Sequence, residues 1–194
     1  MVTARRKRRP QRRDEILAAA VTLFHERGYE ATGIDDIGEA ASISGPAVYR
    51  HFRSKREILD ILLRDRGETA LAEAQAIVGS ARDATEALDG LIDHYARAIV
   101  DNPSLTVVTL YERRTLDPEI RALIDRLERR YIEEWVHAVA QSRADLSDTE
   151  VRITVHAVLG MGVAIANYDS GLPKERLAGL VAAMMRAGLG RAAR

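Results

Sequence analysis

Cysteine is absent from the 194 residues, which excludes a disulfide framework, thiolate zinc sites and thiol redox chemistry at once. Aromatic side chains supply only 5% of the chain, so its core has to be built mostly from aliphatic residues. No apolar run approaches the length that spans a bilayer. The basic start, Arg5-Arg6-Lys7-Arg8-Arg9, lacks the apolar stretch of a signal peptide. Period-two alternation bounded by turn residues is also missing, which leaves no candidate strands. What remains, 46% hydrophobic and 30% charged residues, is the balance of a packed globular protein. The expectation is a cytoplasmic chain without a membrane partner.

Net charge is zero, but it is unevenly spread. Residues 1–66 hold 14 Lys and Arg against 10 Asp and Glu, whereas residues 67–194 hold 15 against 19. The N-terminal end therefore suits a polyanion and the C-terminal end does not. Residues 5–13 alone carry seven basic side chains and no acid.

Apolar residues recur at helical spacing throughout, and the reading is all-α with about nine helices. Ile16, Ala20, Leu23 and Phe24 mark the first, ended by Gly28. A short helix follows over about 34–41. Ser44 then caps a third, with Gly45-Pro46 in its first turn and an end near Phe52. Ser54-Lys55-Arg56-Glu57 is a capping box opening the fourth, and Ser147-Asp148-Thr149-Glu150 is another farther along. Asp83, Asn102-Pro103, Asp117-Pro118 and Pro173 mark further helix starts.

Two short helices joined by a three-residue break and braced by a first helix form the unit that presents a recognition helix to the major groove. Ile37, Ile43, Val48 and Phe52 can pack inward with Leu17, Leu23 and Phe24. Gly45, Pro46, Ala47, Tyr49, Arg50 and His51 are then left on or near the outer face, where Tyr, Arg and His reach phosphate oxygens.

The residues Ile16-Leu17-x-x-Ala20-x-x-Leu23-Phe24-x-x-x-Gly28-Tyr29, Ile37-x-x-Ala40-Ala41-x-Ile43-Ser44 and Val48-Tyr49-Arg50-His51-Phe52-x-Ser54-Lys55 resemble the N-terminal domain of TetR-family repressors. The resemblance implies a basic arm over 1–13, a helix-turn-helix DNA-binding domain over 14–60 and a ligand-binding and dimerisation domain over 61–194. It places Thr32, Gly33, Tyr49, His51 and Lys55 at DNA phosphates, and Ser44, Gly45, Pro46, Ala47 and Arg50 at base edges. Two departures stand out, Gly33 where the family commonly has a hydroxyl residue and Ser42 where it commonly has Gly. Because Gly-Pro-Ala offers almost no hydrogen-bonding side chain, the arm residues Arg5, Arg6, Arg8 and Arg9 are expected to read the adjacent minor groove.

The same resemblance implies a homodimer through the last two helices. Ala157, Gly160, Gly162, Ala164, Ala166, Ala178, Ala182, Met185 and Leu189 are the candidates for close helix approach. It also implies an effector enclosed by helices four to seven, with Tyr95, Ile99, Val107, Val108, Tyr111, Tyr131, Trp135, His156 and Asn167 as ligand candidates. Arg113-Arg114 beside Tyr111 could receive an anionic effector such as an acyl-CoA, or some other amphipathic molecule. Residues 45–52 resemble actinobacterial members that regulate lipid catabolism. The expected activity is transcriptional repression on operator DNA, relieved by a small molecule, with no catalytic residues, cofactor or metal. An architectural DNA-binding protein without an effector is the alternative reading, and a helical enzyme is a more distant one. The latter has no glycine-rich phosphate loop or metal-ligand spacing behind it.

Overall fold

Helix starts and stops in this chain are set locally, and most of them are chemically explicit. The computed structural model describes residues 9–190. Among these, nine α-helices run in order: α1 (Arg9–Arg27), α2 (Ile34–Ala40), α3 (Gly45–Val48), α4 (Lys55–Ser80), α5 (Ala84–Asp101), α6 (Pro103–Tyr111), α7 (Pro118–Ser142), α8 (Asp148–Ala166) and α9 (Lys174–Gly188), with a 3₁₀ turn at Glu112–Thr115. Ser54 accepts the Glu57 amide at 3.1 Å, Asp83 accepts that of Glu86 at 2.9 Å, and Ser147 and Glu150 cap each other reciprocally. Each satisfies an amide that the first helical turn leaves without an intrahelical partner. Gly28 sits at φ +83° beyond α1, a left-handed conformation that costs glycine nothing.

The end of α2 is less comfortable. Ser42 donates its amide to the Glu39 carbonyl and Ile43 donates to that of Gly38, at 2.9 and 2.8 Å. This is a Schellman stop whose left-handed position, φ 56°, is held by a serine. A non-glycine residue there costs about 1–2 kcal/mol, of which glycine's extra chain entropy would return part. Ser42→Gly is therefore expected to stabilise the protein by somewhat under about 1 kcal/mol, read as a melting temperature higher by about 2 °C. An unchanged or lower value would contradict the strain.

Two apolar clusters organise the molecule. The first joins Ile16, Ala20, Phe24, Ile37, Val48, Phe52, Ile58 and Leu59 of the N-terminal helices with Val108, Leu116 and Ile124 from the C-terminal segment. The second gathers Leu88, Ile92, Tyr95, Ile99, Trp135, Val139, Val155, Val158, Val181 and Met185. In the C-terminal part α4 lies along α7, α5 packs on α7 and α9, and α1 rests against α6. Helix α4 is continuous for 26 residues, about 39 Å at 1.5 Å per residue, and crosses the boundary expected at residue 60.

Three expectations are corrected at this level. Helix α1 starts at Arg9, so Arg12 and Arg13 belong to it and not to an arm over 1–13. They staple it to the helix-turn-helix: Arg12 Nη1 donates to the Ala41 carbonyl at 3.2 Å, and Arg13 Nη1 donates to that of His51 at 3.3 Å while its guanidinium lies over the Phe52 ring. Helix α3 stops at Val48 and not near Phe52. Its continuation tightens because the amides of Arg50 and His51 reach back only three residues, to Ala47 and Val48. Finally, Gly162, Ala166, Ala182, Met185 and Leu189 are buried within the chain itself. A Cβ on Gly162 would lie 2.5 Å from the Tyr95 ring, so this glycine serves α5–α8 packing.

Candidate nucleic-acid interface and internal cavity

The surface of α3 and the turn after it is largely open to solvent. Ser44, Pro46, Tyr49, Arg50 and Arg53 are exposed, with Tyr49 retaining 57% of its accessible surface. Arg50 and Arg53 make no side-chain ion pair among the described residues. Ala47 and His51 are half-buried beside them. A phenol and two free guanidiniums along one edge are the complement of a phosphate backbone.

Other candidates are occupied elsewhere. Lys55 Nζ donates to the carbonyls of Tyr29 at 2.6 Å, Thr32 at 2.8 Å and Glu30 at 3.4 Å, and lies 4.3 Å from the Tyr29 ring centroid. In the free chain the ammonium thus has its protons on the α1–α2 loop and braces it. Of the first-turn amides of α4, that of Glu57 is taken by Ser54, which leaves those of Lys55 and Arg56 to face an anion at this end. Thr32 is buried, its hydroxyl 2.8 Å from the Gly28 carbonyl. The Gly33 amide donates to Asp36 Oδ2 at 2.7 Å. Gly45 is buried against Asp35 and supplies closeness, not readout. Arg5, Arg6 and Arg8, with the side chain of Arg9, lie outside the described residues.

Farther along α4, Leu63, Arg66, Gly67 and Ala70 recur on one helical face and line a cavity of about 410 Å³. Its opposite walls come from Tyr95 and Ile99 of α5, Thr106 and Thr109 of α6, Leu127 and Tyr131 of α7, and His156, Leu159 and Gly160 of α8. The Tyr95 hydroxyl donates to the Leu159 carbonyl at 2.7 Å. Burial raises the pKa of Tyr95 and pushes Tyr131 up to about 12, so both phenols stay neutral at physiological pH. His94 Nε2 stands 3.2 Å from Glu73. Arg113 at the cavity's edge pairs with Asp125 and Glu128. Among the described residues no group of three or more His, Asp or Glu is placed to hold a metal.

Two family models match the chain, "Bacterial regulatory proteins, tetR family" over residues 16–62 and "Tetracyclin repressor-like, C-terminal domain" over 81–168. The HTH-type transcriptional repressor KstR2 of Rhodococcus jostii is 30% identical over 164 residues, which is 84% of this chain and 71% of that one. The chain belongs to the TetR family. The structure of KstR2 of Mycobacterium tuberculosis matches this TetR-family fold with a TM-score of 0.81 and 26% identity, covering 98% of this chain and 95% of the other. AibR, solved with isovaleryl coenzyme A and operator DNA, shares the fold at 22% identity and a TM-score of 0.75, with 90% and 97% covered.

Within the TetR frame, four of the nine ligand candidates line the cavity: Tyr95, Ile99, Tyr131 and His156. The other five do not. Trp135 and Val107 are buried in the core behind it, and Val108 packs with the N-terminal cluster. Tyr111 is exposed, and Asn167 Nδ2 meets its hydroxyl at 3.5 Å. Asn167 instead borders a second hollow of about 370 Å³ near His25 and Tyr168. Arg53, Arg66 and Thr109 were not foreseen. The i, i+3, i+4, i+7 pattern of 63, 66, 67 and 70 was the available signal, and its third member is a glycine whose Cβ would press on Leu127.

Proposed function

We propose that this chain is a ligand-responsive repressor that binds an inverted-repeat operator as a homodimer and releases it when a small amphipathic molecule fills the cavity. The observation that carries the reading is the course of α4. Its first turn is tied to the helix-turn-helix through Lys55, while its middle forms one cavity wall. A ligand that favours one tilt of this helix changes the separation of the two recognition helices, which phosphate contacts cannot repair. The complex of AibR with an acyl-CoA and operator DNA supports this use of the fold.

Dimerisation is supported by what α8 leaves uncovered. The helix is long and apolar enough to cross a membrane, yet Ile153, Ala157, Gly160 and Ala164 on one face are exposed in the single chain. Leu180 and Ala187 of α9 are exposed as well. A second copy related by a two-fold axis covers these small and apolar residues symmetrically, and the same reading places the protein in the cytoplasm.

The test is operator selection from a random duplex pool, followed by affinity measured against salt. Selected sites should be inverted repeats with half-sites one helical turn, about 34–36 Å, or a multiple apart. Arg50→Ala and Arg53→Ala should each flatten the logarithmic salt dependence by about 0.9 per half-site, while Lys55→Ala should lower the melting temperature. A single asymmetric site, or slopes indifferent to both arginines, would sink the proposal.

A further inference from the structure

The cavity contains a charge that the protein leaves unanswered. Arg66 projects from α4 into the cavity lining and is partly buried. Among the described residues it has neither an ion pair nor a hydrogen-bonding partner for its guanidinium. The neighbouring basic side chains differ: Arg113 is held by Asp125 and Glu128, and His94 stands against Glu73. Glu128, the single carboxylate in the lining, is the one Arg113 takes. The walls around Arg66 are apolar or neutral, with Leu63, Ala70, Leu127 and the un-ionised phenols of Tyr95 and Tyr131. The guanidinium is partly buried and is met by solvent alone, and a carboxylate entering beside it forms the bidentate pair for which guanidinium geometry is suited.

We infer that the cavity takes a free apolar carboxylic acid, with its carboxylate on Arg66 and its hydrocarbon part against the Leu127–Tyr131 and Ile99–Leu159 walls. This rests on the proposed function, since it names the chemical class of that site's effector. A coenzyme A thioester would bring a neutral carbonyl to this depth and leave its phosphates outside, so Arg66 would stay unpaired. Arg66 lies eleven residues beyond Lys55 on the same helix, about 17 Å along its axis. The pair therefore forms on the element that carries the DNA-binding end.

Trp135, the sole tryptophan, packs on Tyr95 and Tyr131 at centroid distances of 5.8 and 6.4 Å, so its emission reports cavity filling. The experiment titrates the full chain with octanoate, octan-1-ol and octanoyl coenzyme A, in wild type, Arg66→Gln and Arg66→Lys. Octanoate should bind wild type at least about tenfold tighter than the alcohol. Arg66→Gln should remove that gap without weakening the alcohol, and Arg66→Lys should keep much of it. Equal affinity of acid and alcohol for wild type overturns the inference without reference to any variant. So does an acid preference that survives Arg66→Gln, or a thioester that binds tighter than octanoate and is indifferent to Arg66. Should none of the three probes change Trp135 emission, the cavity reading in the proposed function falls together with this one. A failure confined to the acid–alcohol gap leaves that reading standing.

Discussion

Gly38→Ala is expected to cost about 5- to 150-fold in operator affinity while the C-terminal helices stay folded. The glycine lies where α2 meets the start of α3. A Cβ there would stand 2.9 Å from both the Gly45 nitrogen and the Ile43 oxygen and 3.0 Å from the Ser44 carbonyl carbon. All three are backbone atoms, so the contact is relieved only by moving the recognition helix away from its brace. Overpacking of this kind costs about 1–3 kcal/mol. The binding-competent arrangement becomes a minor one, and apparent affinity falls by the fraction lost. Gly45→Ala is the instructive comparison. Its Cβ would overlap Asp35 Oδ1, the end of a mobile side chain, although the Asp35 Cα is also only 3.4 Å away. Its loss should be smaller and largely restored by Asp35→Ala. Anisotropy with labelled operator, beside circular dichroism of each variant, measures both. Equal losses at the two glycines, or no rescue, would contradict backbone contact as the cause.

The second large effect is expected at Glu112. Its Oε1 accepts the Tyr29 amide at 3.1 Å, tying the 3₁₀ turn after α6 to the loop that Lys55 braces. The next residue, Arg113, borders the cavity, and His25 of α1 meets Ser104 of α6 at 2.9 Å as a second tie between the same parts. Effector binding that shifts the turn must therefore pull on the helix-turn-helix through Glu112. For Glu112→Ala we expect effector affinity of the free protein to be kept and the effector's ability to displace operator to drop toward nothing. A coupling of about 1–3 kcal/mol, or 5- to 150-fold, would be lost. Glu112→Gln, which keeps an acceptor oxygen, should retain most of it. Because linkage is reciprocal, the check is to measure effector affinity with and without operator. A variant whose two affinities still differ as in wild type excludes Glu112 from the path.

Local chemistry was legible in the sequence, and the directions of long side chains were not. Gly28, Ser54, Asp83 and the Ser147–Glu150 box could be read directly, because a cap depends on residues within one turn. The inward set of Ile37, Val48 and Phe52 followed from spacing alone. The intrachain partners of Lys55 and Thr32 were not legible, because they are backbone carbonyls around a loop whose path no periodicity encodes. Val108, Val107 and Trp135 sit on helices correctly placed, but a helical repeat says which residues share a face and not which neighbour that face meets. For Val108 the neighbour proved to be the N-terminal cluster, and for Trp135 the core behind the cavity, with the Tyr95 and Tyr131 rings. Arg66 and Arg113 look alike in sequence. Only the fold shows that acids on α7 reach one and leave the other bare.

The sharing of Val108, Leu116 and Ile124 with the N-terminal cluster bears on how such regulators can be recombined. A headpiece cut at residue 54 or 60 would lose part of its own interior, and the remainder would present three aliphatic side chains to water. Grafting this reading head onto a different sensor therefore means carrying those three positions across as well, with an acceptor at 112. The transferable unit is discontinuous in sequence, and related chains drifting apart in their sensors are constrained at sites far from DNA by the need to keep the reader whole.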